Sequence, residues 1–154
     1  MRLALDTNIL VYAEGMNLAV GDARKQALAV RLLEAAPEGS IFIARQTLAE
    51  LHRVMVRKGR LAPAAASDRM RLWAADAELI DTDEAVLESA LDLASDHSLP
   101  IFDAVVLAAA VEARCDLLLS EDFQDGFAWR GIVVTDPFGS APDRRLARLL
   151  AGGR

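Results

Sequence analysis

Continuous apolar runs of strand length alternate along this chain with longer segments whose apolar residues recur every three or four positions. The first run, residues 1–5, stops at Asp6-Thr7-Asn8, and Ile9, Leu10, Val11 and Tyr12 begin a helical pattern that lasts to about Gly15. Gly21-Asp22 opens a long helical stretch over residues 23–36, which Pro37-Glu38-Gly39-Ser40 breaks. Ile41-Phe42-Ile43-Ala44 reads as a short buried strand, and residues 46–58 as a helix whose Leu48, Leu51, Val54 and Met55 repeat at three and four before Gly59. Pro63 begins another helix to about Ala75. Glu78-Leu79-Ile80 is a strand candidate, and Asp81-Thr82-Asp83-Glu84 signals the start of a helix carrying Val86, Leu87, Ala90, Leu91 and Ala94.

After a loop at His97-Ser98-Leu99-Pro100, Phe102-Asp103 leads into residues 104–111, which are apolar nearly all round. Such a helix belongs in a core or an interface. Residues 115–119 form the next buried strand and end at an acidic loop, Ser120-Glu121-Asp122-Phe123-Gln124-Asp125-Gly126. Ile132-Val133-Val134 is a last strand. Pro137, Gly139 and Pro142 punctuate a tail whose arginines form a short basic helix or stay loose. Strands that alternate with helices, and that read as apolar runs rather than as alternations, predict an α/β fold with a mostly parallel sheet.

Composition narrows this picture. A length of 154 residues favours a single core. The hydrophobic fraction is 53% and the mean hydropathy +0.22, high for a small monomer, yet no run approaches the ~18 apolar residues of a membrane span. The excess apolar surface therefore suggests a subunit interface. A carboxylate at position 6 argues against a signal peptide. The single cysteine, Cys115, sits in an apolar context and reads as a small buried thiol, consistent with a cytoplasmic protein. Taken alone, the net charge of −6 and a pI near 4.9 count against a protein that simply coats nucleic acid. The basic residues are uneven, however. Arg53, Arg57, Lys58, Arg60, Arg69 and Arg71 fall in one span, and Arg144, Arg145, Arg148 and Arg154 at the end. A local basic strip can serve a polyanion, although each of these residues also suits a solvated helix face.

The chemistry lies in the acids. Ligands bind beyond the carboxyl ends of parallel strands, where Asp6 stands, although Asp is also a preferred cap for the helix that follows. Asp122 follows a strand, Asp103 starts the apolar helix, and Glu50 lies in the first turns of a helix that follows a strand. In a parallel sheet all four can reach one edge. Carboxylates crowded together repel and raise one another's pKa, so such a cluster normally needs a cation, and all-oxygen ligands point to Mg²⁺ or Mn²⁺. His52 and His97 are isolated, with no zinc spacing. There is no glycine-rich phosphate loop, and Ser120 lacks the partners of a nucleophile. A phosphate-receiver domain needs a late lysine, whereas the two lysines here, Lys25 and Lys58, are both early. The D-x-D-x-T motif of haloacid-dehalogenase-type phosphatases fails at Asn8. Metal-assisted attack on a phosphate ester remains.

These pieces, Leu3-Ala4-Leu5-Asp6-Thr7-Asn8, Leu48-Ala49-Glu50-Leu51, Phe102-Asp103-Ala104 and the loop from Leu118 to Gly126, resemble in order and spacing a PIN domain, and specifically the ribonuclease toxin of a VapBC-type toxin–antitoxin pair. The resemblance covers residues 1–138 and leaves 139–154 as a basic tail. It implies a three-layer α/β/α sandwich around a parallel sheet. Asp6, Glu50, Asp103 and Asp122 would form the catalytic and metal-binding quartet, with Asp125 as a further ligand and Thr7, Asn8 and Ser120 holding the network. It implies a Mg²⁺- or Mn²⁺-dependent endoribonuclease that cuts single-stranded or looped RNA to leave a 5′-phosphate and a 3′-hydroxyl. It also implies a homodimer silenced by an antitoxin. Arg53, Arg57, Lys58 and Arg60 would orient the RNA, and the helices holding Glu50 and Asp103 carry apolar surface for the dimer. Glu121 departs from the pattern by adding an acid beside Asp122. A PIN-like module that binds nucleic acid or protein without cutting is the alternative, and would hold its partner equally well without Mg²⁺.

Overall fold

The computed structural model describes residues 1–16 and 22–152. Gly21, expected to open a helix, and Arg154, expected in the basic tail, lie outside the described residues. In chain order the elements are β1 (Leu3–Leu5), α1 (Thr7–Ala13), α2 (Asp22–Ala35), β2 (Ile41–Ala44), α3 (Arg45–Arg57), α4 (Pro63–Asp76), β3 (Glu78–Ile80), α5 (Glu84–His97), α6 (Ile101–Glu112), β4 (Leu117–Leu119), β5 (Ala128–Trp129), β6 (Ile132–Thr135) and α7 (Arg144–Gly152). The strands form one sheet in the order β3-β2-β1-β4-β6-β5, parallel throughout except for β5 against β6.

Side chains alternate across this sheet and divide the core in two, as the pleat requires. Leu3, Leu5, Ile43, Leu117 and Leu119 face one layer, built from α1, α2, α3, α4 and α7. Ala4, Phe42, Ala44, Leu118, Ile132 and Val134 face the other, built from α5 and α6. The architecture is thus the expected three-layer α/β/α sandwich. Because both faces of β1 and β4 are covered, their sequences are unbroken apolar runs.

The apolar helix α6 belongs to this core. Its residues from Ala104 to Ala110 are all buried between α5 and the sheet. Ser98 closes α5 in the left-handed conformation at φ 55°, and Pro100 caps α6, so the turn between them is sharp. The two-residue β5 was not expected. Arg130 and Gly131 both take positive φ, 45° and 94°, and fold β5 back on β6 as a tight hairpin. The tail after Pro137 carries α7, whose Leu146 and Leu150 are buried beside α2.

Candidate active site

Register places the acids. Leu3, Ala4 and Leu5 pair with Leu117, Leu118 and Leu119, so Asp6 and Ser120 leave the sheet side by side. A bond from Asp6 N–H to the Leu119 carbonyl (3.1 Å) and another from Ser120 N–H to Thr135 O (3.1 Å) carry the ladder one residue further. On the other side, β2 runs directly into α3 with no loop between Ala44 and Arg45, which brings Glu50 back over the same edge.

Asp6 does both things its position suggested. Its Oδ1 accepts the Thr7 N–H at 2.7 Å and caps α1, while its Oδ2 accepts the Ser120 hydroxyl at 2.6 Å and the Asn8 amide at 3.1 Å. Asn8 ties strand ends together: the same Nδ2 reaches Ser120 Oγ (3.2 Å) and Asp122 Oδ2 (3.0 Å). Ser120, fully buried, also accepts the Asp122 N–H at 3.2 Å. Thr7 donates its hydroxyl to Glu50 Oε2 at 2.9 Å. Asp103, in the first turn of α6, completes the group through space.

Electrostatics shows that these acids share one region. Burial pushes the Asp6 carboxyl up from 3.8 to about 6, against the hydrogen bonds from Ser120 and Thr7, and the charges of Asp122 and Asp103 raise it further. Burial likewise raises Asp103, followed by the charges of Asp122 and Glu50. Such mutual repulsion is a force waiting for a counter-charge. The donor set is all oxygen and suits a hard divalent cation. Among the described residues, no three His, Cys, Asp or Glu side chains stand where they could ligate one ion as they are arranged. Closing three of them on an ion requires them to turn.

The other acids of the loop point elsewhere. Asp125 Oδ1 accepts the Asp136 N–H at 2.9 Å, and no hydrogen bond ties it to the group around Asp6. Glu121 leans away from Asp122 to accept the Tyr12 hydroxyl at 2.7 Å and to pair with Lys25. Lys25 also donates to Tyr12 at 3.0 Å and lies over the Tyr12 and Phe138 rings, 4.9 and 5.5 Å from their centroids. Glu121, then Tyr12, hold its ammonium well above its ordinary value. Sequence reasoning did not foresee this cluster. The surplus acid at 121 was its only signal, since Lys25 stands almost a hundred residues away.

The basic span splits in two. Arg53, Arg57 and Lys58 are exposed along one flank of α3, and Arg53 approaches Glu50 at 3.9 Å. Arg60, also exposed, follows the helix end at φ 52°. Arg69 instead forks onto Glu14 (2.8 and 2.9 Å), and Arg71 pairs with Asp68 at 2.6 Å. In the tail, Arg145 pairs with Asp143. His52 contacts Ser67 at 3.3 Å and His97 packs edge-on against Phe127, so neither histidine serves the site. Cys115 is buried, with its thiol pushed up to about 12.

Besides a shallow cleft of about 300 Å³ beside Glu50, Arg53 and Phe102, two others of similar size open on the surface. One, of about 330 Å³, begins at Thr7, Asn8 and Asp122 and runs toward Tyr12 and Val54. The other, of about 320 Å³, lies beside Glu14, Arg69 and Trp73, where Glu14 already accepts both partners' N–H groups. The chemistry belongs to the first.

The family model of the PIN domain matches residues 3–127. No curated protein matches the chain in sequence. Among solved structures, a chain of a toxin–antitoxin complex from Klebsiella pneumoniae superposes with a TM-score of 0.66 at 22% identity, covering 90% of this chain and 98% of that one. VapC20 of Mycobacterium tuberculosis, a Sarcin-Ricin loop cleaving toxin, gives 0.61 at 19% identity over 75% and 86%. A chain of VapBC2 from Rickettsia felis, bound to a DNA fragment from their promoter, gives 0.61 at 16% over 87% and 97%. At these identities the likeness is one of fold.

Proposed function

The chain belongs to the PIN domain family, and from that premise we propose that it is a divalent-metal-dependent endoribonuclease, the toxin of a toxin–antitoxin pair. One observation carries the reading: three separate strand ends and a helix start deliver Asp6, Glu50, Asp103 and Asp122 to one edge, where at least two of them are held at raised pKa. Acids gathered at a cleft with raised pKa mark a candidate functional site.

Asp6, Glu50, Asp103 and Asp122 would hold Mg²⁺ or Mn²⁺, with Asp125 a further ligand only if it leaves Asp136. The bound cation supplies neutralisation of phosphate charge and activation of the attacking water. The chain's own work is positional. Ser120 and Asn8 keep Asp6 and Asp122 at fixed separation, and Thr7 holds Glu50. Hydrolysis then breaks the bond to the 3′ oxygen and leaves a 5′-phosphate and a 3′-hydroxyl. Arg53, Arg57, Lys58 and Arg60 would hold the flanking phosphates of the RNA, consistent with their exposure along and just beyond α3. An antitoxin partner, a homodimer and a cytoplasmic setting belong to the same proposal. Among the described residues no helix is long and apolar enough to cross a membrane.

The alternative, a module that binds without cutting, draws on the absence of three ready-placed ligands among the described residues. One experiment separates the two. Purified protein is incubated with total cellular RNA in Mg²⁺, in Mn²⁺ and in EDTA, beside Asp6→Asn, and the ends are mapped. Discrete cuts that need metal and vanish in the variant support the nuclease. Binding that is indifferent to metal, without cleavage, supports the module.

A further inference from the structure

We propose that the cleft adjoining the carboxylates is a subsite for one unstacked guanine flanking the scissile phosphate. The inference rests on the reading of RNA as substrate. At about 330 Å³ the cleft matches the lower range of ligand sites and has room for a single nucleotide. Asn8 and Asp122 belong both to its inner end and to the acidic edge, so a base seated here lies next to the reacting phosphate. Val11, Val54 and the Tyr12 ring supply apolar wall for a base face, and Lys58 stands on the rim where a phosphate would pass. Unstacked bases are read in this way, by side-chain contact with the face and hydrogen bonds to the edge.

The edge chemistry selects the base. Glu121 lines the cleft and is held by Tyr12 on Oε1 and Lys25 on Oε2. Each carboxylate oxygen accepts more than one hydrogen bond, so neither is saturated by the partner that holds it. Asp22 and Asp122 add two further carboxylates to the lining. The polar wall is therefore rich in acceptors. Guanine alone among the four bases presents two adjacent donors, N1–H and the 2-amino group, which match a carboxylate in a charge-assisted pair. Adenine and cytosine set an acceptor nitrogen beside their amino group, and uracil flanks its one N–H with two carbonyl oxygens. All three leave an acceptor facing an acceptor, a loss that buried polar sites punish heavily.

Two measurements test this. The first is equilibrium binding of GMP, IMP and UMP to the whole protein in EDTA, followed by NMR shifts of cleft residues. The second is cleavage of RNA oligonucleotides carrying G, inosine, A, C or U at each position flanking a mapped cut. GMP should bind about tenfold or more tighter than UMP, with IMP between them because it lacks the 2-amino group. G should be preferred to a similar degree on one side of the cut. Glu121→Gln should erase the preference, and Val54→Trp should fill the cleft and abolish mononucleotide binding should Glu121→Gln fail to fold. If GMP preference stands while no RNA is cut, the subsite survives and the nuclease reading falls. If RNA is cut with equal rates for all bases and the three nucleotides bind alike, or not at all, the subsite falls and the nuclease stands.

Discussion

Asp6 is held ionised at neutral pH at a cost. Its burial and its acidic neighbours lift the folded-state value from 3.8 to about 6, which corresponds to a charging penalty of at most about 3 kcal/mol. The sign follows from linkage. Between pH about 4 and 6 the folded protein keeps a proton that the unfolded chain has released, so that stability is present at low pH and is lost as pH rises through 6. Metal-free protein should therefore melt several degrees higher at pH 5 than at pH 7.5, measured by calorimetry, and 5 mM-scale Mg²⁺ (roughly saturating for a weak carboxylate site) should raise the melting point at pH 7.5 far more than at pH 5. A flat metal-free profile would contradict the raised value. Asp103 gives the complementary test. It is raised by burial and by Asp122 and Glu50, and its side chain makes no hydrogen bond among the described residues. Asp103→Asn should melt about 2–4 °C higher without metal, yet lose about a hundredfold or more of RNA cleavage. A variant that is both less stable and fully active would remove Asp103 from the site.

At the scale of elements, α3 unites two tasks, with Glu50 over the sheet edge and Arg53, Arg57 and Lys58 on the adjoining exposed flank. Each phosphate neutralised on a single strand steepens the salt dependence by about 0.7 in log–log slope. Arg57→Ala with Lys58→Ala should flatten the slope of RNA binding by roughly 1.4, whereas Arg71→Ala, on a residue already paired with Asp68, should leave it unchanged. Equal slopes would detach α3 from RNA. For Arg69 the sequence alone could not make that distinction, because its partner Glu14 comes only with tertiary structure, whereas Arg71 pairs within its own helix at a spacing the sequence already allowed. The buried strands and the helices between them were readable, since unbroken runs and three-four spacing survive burial. The hairpin strand β5 was not, because two residues carry no period. Nor was the Lys25–Glu121 pair, whose members meet only across the fold. The strand ends that carry Asp6 and Asp122 were legible for the opposite reason: a carboxylate that interrupts an apolar run stands out. The tail helix α7 yields its own prediction. Leu146 is fully buried, so Leu146→Ala should cost about 2–5 kcal/mol of stability by denaturant titration, while Arg148→Ala on the exposed side should change it little.

For the molecule as a whole, the apolar excess needs an outlet, and α6 does not provide it. Its small and branched side chains from Ala104 to Ala110 are enclosed between α5 and the sheet. Of the large apolar side chains left exposed, Met1, Val30 of α2 and Leu72 of α4 stand apart, and the rest gather on α5 and at the start of α6. Leu87 and Leu91, one helical turn apart, are 44% and 47% exposed, and Phe102 is 62% exposed. Phe102 adjoins Asp103 and lines the same shallow cleft as Glu50 and Arg53, so a second copy seated on this flank would border the mouth of the acidic site. A standard interface removes about 800 Å² per partner from water, and a seam along α5 is long enough to contribute much of it: fourteen helical residues span roughly 21 Å. A net charge of −6 opposes self-association over long range, but apolar contact at the seam outweighs it once salt screens the charge to about 8 Å. Sedimentation at micromolar concentration and physiological salt should therefore give a dimer, which weakens as salt is lowered. Leu87→Glu with Leu91→Glu should give a monomer of unchanged circular dichroism, since neither side chain supports the core. A wild-type monomer under those conditions, or a double variant that still dimerises, would move the interface off this flank.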